Sequence, residues 1–565
     1  MKNLLRTFVF VFAFCLYAAA DAQTIKDGIK KTMNERYEAA SADFRALLAK
    51  EPSNAAAMFY SGDNYYYWGQ LDSAETMFTK GAATDPALPL NYVGLGRLAW
   101  NKGNAAGCAE NFTKAHGMIT AKGNKVPMDV QVVVLLKMAE TYILSENKNL
   151  DQANAYIQQA LKLNDKNPEV YIQWGDMNFE KGSANRSDVI AQYNKAYDTD
   201  PTYTRALLRQ GQLWSRVKNY DLAIEWLDKA ITNDPNFAPA YREKGDVLFR
   251  SANGNSEKVK QAAEAYKRYL ELNDSPSART KYVGLLMELK EYALALEQLN
   301  RVMKSDSSNA LLFRGLGYSY FETKDYGNAV TNMKKFFSKV EGDDRYKVLP
   351  SDYSYLGRAM IQSGQDSLGV EQLMKAVDMD ADYLEGYSEI ASVYYKQKKY
   401  DLAAQYYKAR ITHSRKPEQL DYFFLGKSLY FAKNYTASDS AFMACSGYAE
   451  SFYWRGQCNA KLDNQEAPTG LAKPFFETFI TKVGTDPANI EANKKNLVQA
   501  YSYLGFYYYT VKNFSCSRAA WTEVQKLDAA NEKAKAALTD KDIAAADAGA
   551  CILIMVPEDH GPAED

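Results

Sequence analysis

The sequence predicts an all-α protein made of stacked helix pairs, an α-solenoid, and two observations support this fold class. First, residues 202–235 show two short helical stripes of apolar residues, the second of which ends at Asp234-Pro235. Second, the same spacing of apolar and small residues recurs along nearly the whole chain. Because one helix pair cannot bury both of its apolar faces, neighbouring pairs must stack on each other.

The segment 202–235 shows how one pair is expected to pack. Gly211 and Ala223 fall where the two helices would cross, so the backbones can approach closely there. Leu207 and Leu227 would fill the remaining space at helical spacing. The length of 34 residues and these positions resemble the tetratricopeptide repeat (TPR). The resemblance implies a right-handed superhelix that binds partners on its concave face.

The copies of this pattern divide the chain, and about fourteen helix pairs are expected between Gln23 and Ala530. An alanine-rich stretch follows, which we expect to cap the last apolar face. The apolar run 551–556 is expected to pack on the last pair, with a partner-binding or membrane-proximal strand as the alternative. The predicted divisions are 1–22 (signal peptide), 23–339 (N-terminal TPR array), 340–351 (polar connection or hinge), 352–530 (C-terminal TPR array), 531–547 (capping helix) and 548–565 (apolar segment and acidic tail).

The N-terminus has the pattern of a secretory signal peptide. Lys2 and Arg6 precede an apolar run over residues 8–17, and small residues precede Gln23, where cleavage is expected. The alternative is a membrane anchor, but the run is shorter than the roughly 20 residues needed to span a bilayer. We therefore expect export, most simply to the bacterial periplasm, without a transmembrane helix after cleavage. A peripheral association with the outer membrane stays open.

The composition argues against catalysis and against nucleic-acid binding. The 68 Lys and Arg residues balance 69 Asp and Glu residues, so no overall positive charge attracts nucleic acid. The chain has three histidines, His116, His413 and His560, without the spacing of metal ligands. No nucleophile elbow, phosphate-binding loop or dinucleotide fingerprint occurs in the sequence. We therefore predict no enzymatic activity, no catalytic residues, no cofactor and no metal ion.

Five cysteines remain after the predicted cleavage, so they cannot all pair within one chain. Cys108, Cys445 and Cys458 replace the small residues expected at helix crossings, which explains them as packing residues. A Cys445–Cys458 disulfide is left open, since an oxidising compartment permits it. Cys516 and Cys551 have no assigned partner.

The resemblance also implies a partner-binding face, because first helices of successive TPR units line the concave surface. Aromatic and arginine side chains dominate interface energetics. About half of the aromatic side chains assigned to this face are expected to pack between helices instead. The residues assigned to this face are Phe59, Tyr66, Tyr67, Phe179, Arg205, Arg216, Arg242, Phe249, Arg314, Tyr318, Phe321, Arg358, Tyr395, Phe423, Tyr430, Phe431, Phe506 and Tyr509. The lysine and asparagine pair with which some TPR proteins clamp a terminal carboxylate is missing at the equivalent positions.

These observations favour a non-catalytic protein–protein interaction scaffold or adaptor in the bacterial cell envelope. Its expected partners are envelope or outer-membrane proteins, and its expected task is to support assembly or secretion of a complex. The alternative is an envelope protein that contacts peptidoglycan or polysaccharide through groove tyrosines such as Tyr66 and Tyr67.

Overall fold

The computed structural model describes residues 25–182, 186–305 and 307–551. The predicted signal peptide and the apolar run beyond Cys551 lie outside the described residues. Within the described ranges the chain forms helices and no β-strand, which confirms the all-α prediction. The helices α1–α28 form fourteen successive pairs, as the repeat pattern predicts. The chain divides into two compact units, which we call the first unit (up to Ser307) and the second unit (from Ser308).

The first unit contains eight helix pairs among its described residues. Its helices are α1 (25–33), α2 (Tyr37–Lys50), α3 (Ala55–Tyr67), α4 (Leu71–Thr84), α5 (Pro89–Asn101), α6 (Ala105–Thr120), α7 (Met128–Leu144), α8 (Leu150–Leu163), α9 (Pro168–Glu180), α10 (Arg186–Thr199), α11 (Thr204–Arg216), α12 (Tyr220–Asn233), α13 (Ala238–Arg250), α14 (Ser256–Leu272), α15 (Pro276–Glu288) and α16 (Tyr292–Ser305).

The second unit contains six further pairs and a C-terminal cap. Its helices are α17 (Ala310–Glu322), α18 (Tyr326–Val340), α19 (Pro350–Gln362), α20 (Asp366–Met379), α21 (Leu384–Lys396), α22 (Tyr400–His413), α23 (Gln419–Phe431), α24 (Tyr435–Met443), α25 (Ala449–Leu462), α26 (Lys473–Val483), α27 (Pro487–Thr510), α28 (Phe514–Leu527), α29 (Glu532–Thr539) and α30 (Lys541–Ala545), followed by a 3-10 turn at Ala548–Ala550.

The turn within each pair explains why two short helices form instead of one long helix. In most pairs, one residue of the turn adopts a left-handed backbone conformation, and glycine or lysine usually fills this position. In the pair α11–α12 this residue is Lys218, with φ of 63°. The next residue, Asn219, then accepts a hydrogen bond from the backbone N–H of Leu222 and so starts the second helix. The same position is occupied by Gly69, Gly103, Gly182, Lys290, Lys324, Gly364, Lys398, Lys433 and Lys512.

The expected close crossing of α11 and α12 is confirmed. A Cβ atom added at Gly211 would lie 2.6 Å from Cγ of Leu227 and 3.3 Å from the carbonyl oxygen of Ala223. Leu227 and Ala223 are themselves fully buried. Any side chain at position 211 would therefore force these two helices apart.

The C-terminal cap differs from the single helix expected over 531–547. The Asp540 side chain accepts hydrogen bonds from the backbone N–H groups of Asp542 and Ile543, which starts a new helix. The segment therefore folds as the two short helices α29 and α30. Ala534 and Ile543 pack against Trp521, so this segment covers the last apolar face.

The disulfide in the described residues is not the pair left open by the sequence. Cys516 on α28 bonds to Cys551, which ties the end of the described chain to the last helix pair. Cys108, Cys445 and Cys458 are free and buried. Cys445 and Cys458 instead pack as small apolar residues, since they lie in one core cluster with Phe423 and Phe442.

The polar connection predicted at 340–351 forms the loop between α18 and α19. Arg314 on α17 donates hydrogen bonds to the carbonyl oxygen of Lys347 and to the buried Asp352 carboxylate. The backbone N–H of Leu349 also donates to Asp352. These contacts hold the loop to α17, the first helix of the preceding pair. The bounds predicted for the domains stay predictions. None of the described helices has both the length and the hydrophobicity that crossing a bilayer requires.

Candidate binding surfaces

The first unit closes on itself through contacts between residues that are far apart in the sequence. The turn between α1 and α2 places Asn34 against Asp234, with 3.1 Å from Nδ2 to Oδ2 across 200 positions. Glu35 accepts hydrogen bonds from Arg242 and from the Tyr269 hydroxyl, each at 2.9 Å. We call these contacts the seam. Because of the seam, the first helices of the early pairs lie around a common interior space.

This space is a cavity of about 440 Å³, lined mainly by the first helices of pairs. Charged, aromatic and aliphatic side chains all contribute to its lining. The charged residues are Glu35, Asp63, Lys137, Glu140, Glu169, Arg205, Arg209 and Arg242, and the aromatic residues are Tyr37, Tyr60, Tyr67, Tyr203 and Phe237.

A buried ionic network forms one wall of the cavity. Arg97 on α5, which is 1% exposed, pairs with Asp63 on α3 and with Glu140 on α7. Lys137 lies 2.9 Å from Asp63 and 3.4 Å from Glu140. The Tyr67 hydroxyl donates a hydrogen bond to Glu140. Two cations and two carboxylates therefore compensate each other away from water.

The network lowers the pKa of Glu140. Burial acts to raise this pKa, but the charges of Lys137 and Arg97 outweigh burial and hold the pKa at about 2, below the ordinary value of 4.5. Burial and the neighbouring Glu140 charge raise the pKa of Tyr67, so its hydroxyl stays a hydrogen-bond donor.

The free energy of unfolding of the first unit is expected to fall in acid because of Glu140. Since the folded pKa is lower than the unfolded one, the stabilisation is complete above about pH 4.5 and is lost as the pH falls towards 2. Its size is about 3 kcal/mol from the shift in pKa. Urea unfolding of the wild type and of Glu140→Gln should show a large difference at pH 6 that shrinks at pH 2.5. A difference that is independent of pH would contradict this assignment.

A second polar group lies on α9 and α11. Glu169 accepts hydrogen bonds from Arg205 at 2.7 Å, from the Tyr203 hydroxyl at 2.8 Å and from Nε2 of Gln173 at 3.2 Å. Arg209 pairs with Asp176 at 2.7 Å. Two buried atoms of this group, Oε1 of Gln173 and Nε of Arg209, have no hydrogen-bond partner within the described residues.

The aliphatic part of the lining comes from other first helices. Ile29 and Met33 on α1 and Val133 on α7 are half-buried, and Leu136 and Leu208 are buried beside them. The cavity thus combines an aliphatic surface with convergent polar groups, which is typical of sites for small molecules.

In the second unit, aromatic side chains of three successive first helices and of the second helix α22 form a continuous, partly exposed cluster. The Phe431 ring stacks on Tyr400 with 5.2 Å between ring centroids, and it contacts Tyr395 and Trp454 at 6.0 and 5.8 Å. Tyr430 lies against the same tryptophan at 5.0 Å. Phe431 remains 40% exposed. We call these five residues the aromatic cluster.

The residues predicted for a concave face separate into several groups in the first unit. Tyr67, Arg205 and Arg242 line the cavity. Tyr66 lies under the guanidinium of Arg97, 4.3 Å from its ring centroid. In the same way Arg216 covers Phe179 at 3.8 Å, and Phe249 is exposed.

The second unit shows the same mixture. Arg314 and Tyr318 bind Asp352, and Arg358 lies between Glu389 and the Phe321 ring. Tyr395, Tyr430 and Phe431 belong to the aromatic cluster. Phe506 and Tyr509 on α27 are exposed.

Three of the predicted residues are buried and do not offer a binding surface. Phe59 is fully buried, because its ring packs against Phe78 on the second helix of its own pair. Phe423 packs in the same way against Phe442. Phe321 packs against aromatic side chains of α18 and α19. These three side chains face the core of the array. Aromatic character alone therefore does not distinguish a buried side chain from one on the binding surface.

Sequence reasoning missed Arg97, Lys137, Glu140, Glu169 and Arg209, although one signal could have found part of the network. The residue directly after the small residue at the helix crossing is charged on the three successive first helices α3, α5 and α7. Asp63 follows Gly62, Arg97 follows Gly96 and Glu140 follows Ala139. Opposite charges at equivalent positions of neighbouring repeats predict contact between them.

Two plant proteins are similar to parts of this chain. Hsp70-Hsp90 organizing protein 3 of Arabidopsis thaliana is 22% identical over 254 residues, which cover 43% of this chain and 42% of that protein. Hsp70-Hsp90 organizing protein of Triticum aestivum is 23% identical over 238 residues, which cover 41% and 39%. The chain thus spans about two fifths of the length of these plant proteins.

Two solved structures are also similar to parts of the chain. The C-terminal part of a TPR repeat-containing protein from Cytophaga hutchinsonii is 28% identical with a TM-score of 0.41, and the match covers 46% of this chain and 99% of that one. The MamA protein is 23% identical with a TM-score of 0.28, over 33% of this chain and 98% of that one. The family model for the tetratricopeptide repeat matches residues 34–89 and 183–236. The chain therefore carries tetratricopeptide repeats in these two stretches.

Proposed function

We propose that this protein is a non-catalytic interaction scaffold of the bacterial cell envelope, where it holds proteins together during assembly or secretion of an envelope or outer-membrane complex. The aromatic cluster of the second unit carries this proposal. The names of the plant relatives, which describe proteins that organise Hsp70 and Hsp90, support an adaptor role.

The aromatic cluster has the properties of an interface centre. Its rings come from three successive first helices and from α22, and they contact one another, so their positions are already set before a partner binds. Lys427 lies 5.4 Å from the Trp454 ring and adds a positive charge beside the aromatic surface. Aromatic side chains with few rotatable bonds are typical hot spots of protein interfaces. We therefore assign the partner contact to Phe431 and its neighbours.

Export is supported by the pairing of Cys516 with Cys551. Disulfides persist in oxidising compartments such as the periplasm and are rare in the cytosol. The predicted signal peptide at 1–22 agrees with this compartment. Cell fractionation combined with thiol alkylation tests the proposal, because the exported protein should be recovered with these two cysteines oxidised. Recovery in the cytosolic fraction would contradict export.

The proposal of a scaffold is tested by quantitative affinity isolation from crosslinked cells. A partner that docks on the aromatic cluster should be lost from Phe431→Ala, with binding at least about 30-fold weaker for a hot-spot residue. Phe249→Ala is the matched control, because Phe249 is an exposed phenylalanine at 48% on the first unit. Equal recovery of all partners by wild type and Phe431→Ala would remove the aromatic cluster as the docking site.

The polysaccharide alternative has less support from the structure. Arg97 covers the Tyr66 ring, and Arg97 and Lys137 lie 5.2 and 4.6 Å from the Tyr67 ring. The rings on which a sugar was expected to stack are therefore engaged by cations of the buried network.

A further inference from the structure

We propose that the cavity of the first unit binds a small, uncharged molecule that has an aliphatic body and an amide-type head group. This site lies in the other unit from the aromatic cluster, so it goes beyond the scaffold role. The inference rests on the closure of the unit, on the charges in the cavity and on the side chains that remain without partners.

The shape of the site favours a small molecule over an extended peptide. The seam joins the turn after α1 to Asp234, Arg242 and Tyr269, so the first helices surround the space. The volume of about 440 Å³ lies within the range of small-molecule sites.

The polar side chains in the cavity are more than the fold requires. In the neighbouring pair α11–α12, the two helices pack through apolar side chains such as Ala223 and Leu227. Replacing buried ion pairs by apolar residues is often neutral or stabilising, so stability alone does not explain Arg97, Lys137 and Glu140. Buried, mutually perturbed charges that surround a cavity are instead a common mark of a functional site.

The charges of the site favour an uncharged ligand. Glu35 pairs with Arg242, Glu169 pairs with Arg205, and Arg209 pairs with Asp176. In the ionic network, Arg97 and Lys137 compensate Asp63 and Glu140. A charged ligand would have to break one of these pairs and leave a buried charge uncompensated, which is costly.

The unpartnered atoms indicate the head group. Nε2 of Gln173 donates to Glu169, so its Oε1 is the free end of the amide and needs a donor. Nε of Arg209 is a buried donor that needs an acceptor. The pairs Glu169–Arg205 and Asp176–Arg209 lie on either side of Gln173, so both atoms belong to the same α9–α11 contact. An amide, which both donates and accepts, matches this pair of atoms.

The body of the ligand is assigned to the aliphatic lining. Ile29, Met33 and Val133 are half-buried side chains that line the cavity. A branched aliphatic group of four carbons would cover them and remove apolar surface from water. N-acetyl-L-leucinamide combines such a group with two uncharged amides and is therefore the probe of choice.

Titration of the full-length mature protein with N-acetyl-L-leucinamide, followed by ligand-observed NMR and calorimetry, tests the proposal. We expect one saturable site with a Kd of about 1 mM, which corresponds to the binding efficiency of small ligands. N-acetyl-L-leucine and L-leucinamide have the same body but carry a negative and a positive charge. They should bind at least about tenfold more weakly. Lack of saturable binding of the neutral probe, or equal binding of a charged analogue, would overturn the proposal.

Two pairs of variants locate the site. In the first pair, Val133→Trp fills the cavity from a half-buried position and should abolish binding. Its control, Met128→Trp, places the same ring at an exposed position of α7, where the native residue is 53% exposed, and should leave binding unchanged. Binding that survives in folded Val133→Trp would show that the probe binds elsewhere.

Gln173→Leu provides a second test that keeps the side-chain volume. It should weaken binding of the neutral probe about fivefold, because one hydrogen bond is lost. Gln261→Leu is its matched control, since Gln261 also donates to a glutamate one turn earlier, at 3.3 Å, but on the exposed surface of α14. Thermal unfolding of each variant checks that the first unit is folded. Equal affinity of the two leucine variants would contradict the role of Gln173.

Discussion

Replacing Arg97 by methionine is expected to lower the free energy of unfolding of the first unit by about 3–5 kcal/mol. Arg97 is 1% exposed and compensates the carboxylates of Asp63 and Glu140. Methionine is similar in length but uncharged, so Lys137 alone would face two buried carboxylates. The cost arises from the uncompensated charge that stays behind and not from the loss of one hydrogen bond. Urea unfolding followed by circular dichroism measures the difference.

Arg301→Met is the matched control for this prediction. Arg301 pairs with Glu297 at 2.8 Å in the same unit, but its side chain is 57% exposed. Exposed pairs of this kind contribute about 0.3–0.5 kcal/mol, so this variant should unfold almost like the wild type. Similar losses of stability in Arg97→Met and Arg301→Met would show that the network around Arg97 is not buried as described.

Reduction of the Cys516–Cys551 disulfide is expected to destabilise the C-terminal end of the second unit by about 4 kcal/mol in the chain-entropy model. The bond closes a loop with a sequence separation of 35 residues, which includes α29 and α30. Once it is reduced, the unfolded chain gains the entropy that the loop had removed. We therefore expect the cap over Trp521 to open at a lower urea concentration in the presence of reductant.

The double variant Cys516→Ala with Cys551→Ala separates the bond from other effects of the reductant. This variant should be as unstable as the reduced wild type, and reductant should not change it further. The remaining cysteines among the described residues, Cys108, Cys445 and Cys458, are free, so Cys445→Ala should keep the full response to reductant. A wild type that responds no more than the double variant would contradict a stabilising disulfide.

The helix pairs could be predicted from the sequence because their determinants are local. Gly211, Ala223 and Leu227 lie within one repeat, and the crossing that they predict occurs where they lie. The turn residue Lys218 and the capping residue Asn219 are adjacent in the chain and set the start of α12. Repetition of this pattern gave the number of pairs with little ambiguity.

The candidate sites could be predicted only in part. Phe431 and Tyr395 were recognised as aromatic residues on first helices, and both belong to the aromatic cluster. Phe59 and Phe423 have the same residue type but are buried, because a difference of one position around a helix turns a ring from the groove into the core. Lys137 and Glu169 were missed, because charges on a predicted helix face resemble ordinary solvated residues until the partner helices are known.

By itself, the sequence determined the fold class, the turns and the close crossings, since each depends on residues within about 34 positions of one another. The tertiary structure decided the seam, the cavity and the disulfide partner. Small rotations between successive pairs add up along the array, and their sum determines whether Glu35 reaches Arg242 and Tyr269. The burial of Arg97 likewise depends on three helices meeting, so its pairing with Asp63 and Glu140 is a property of the assembled first unit.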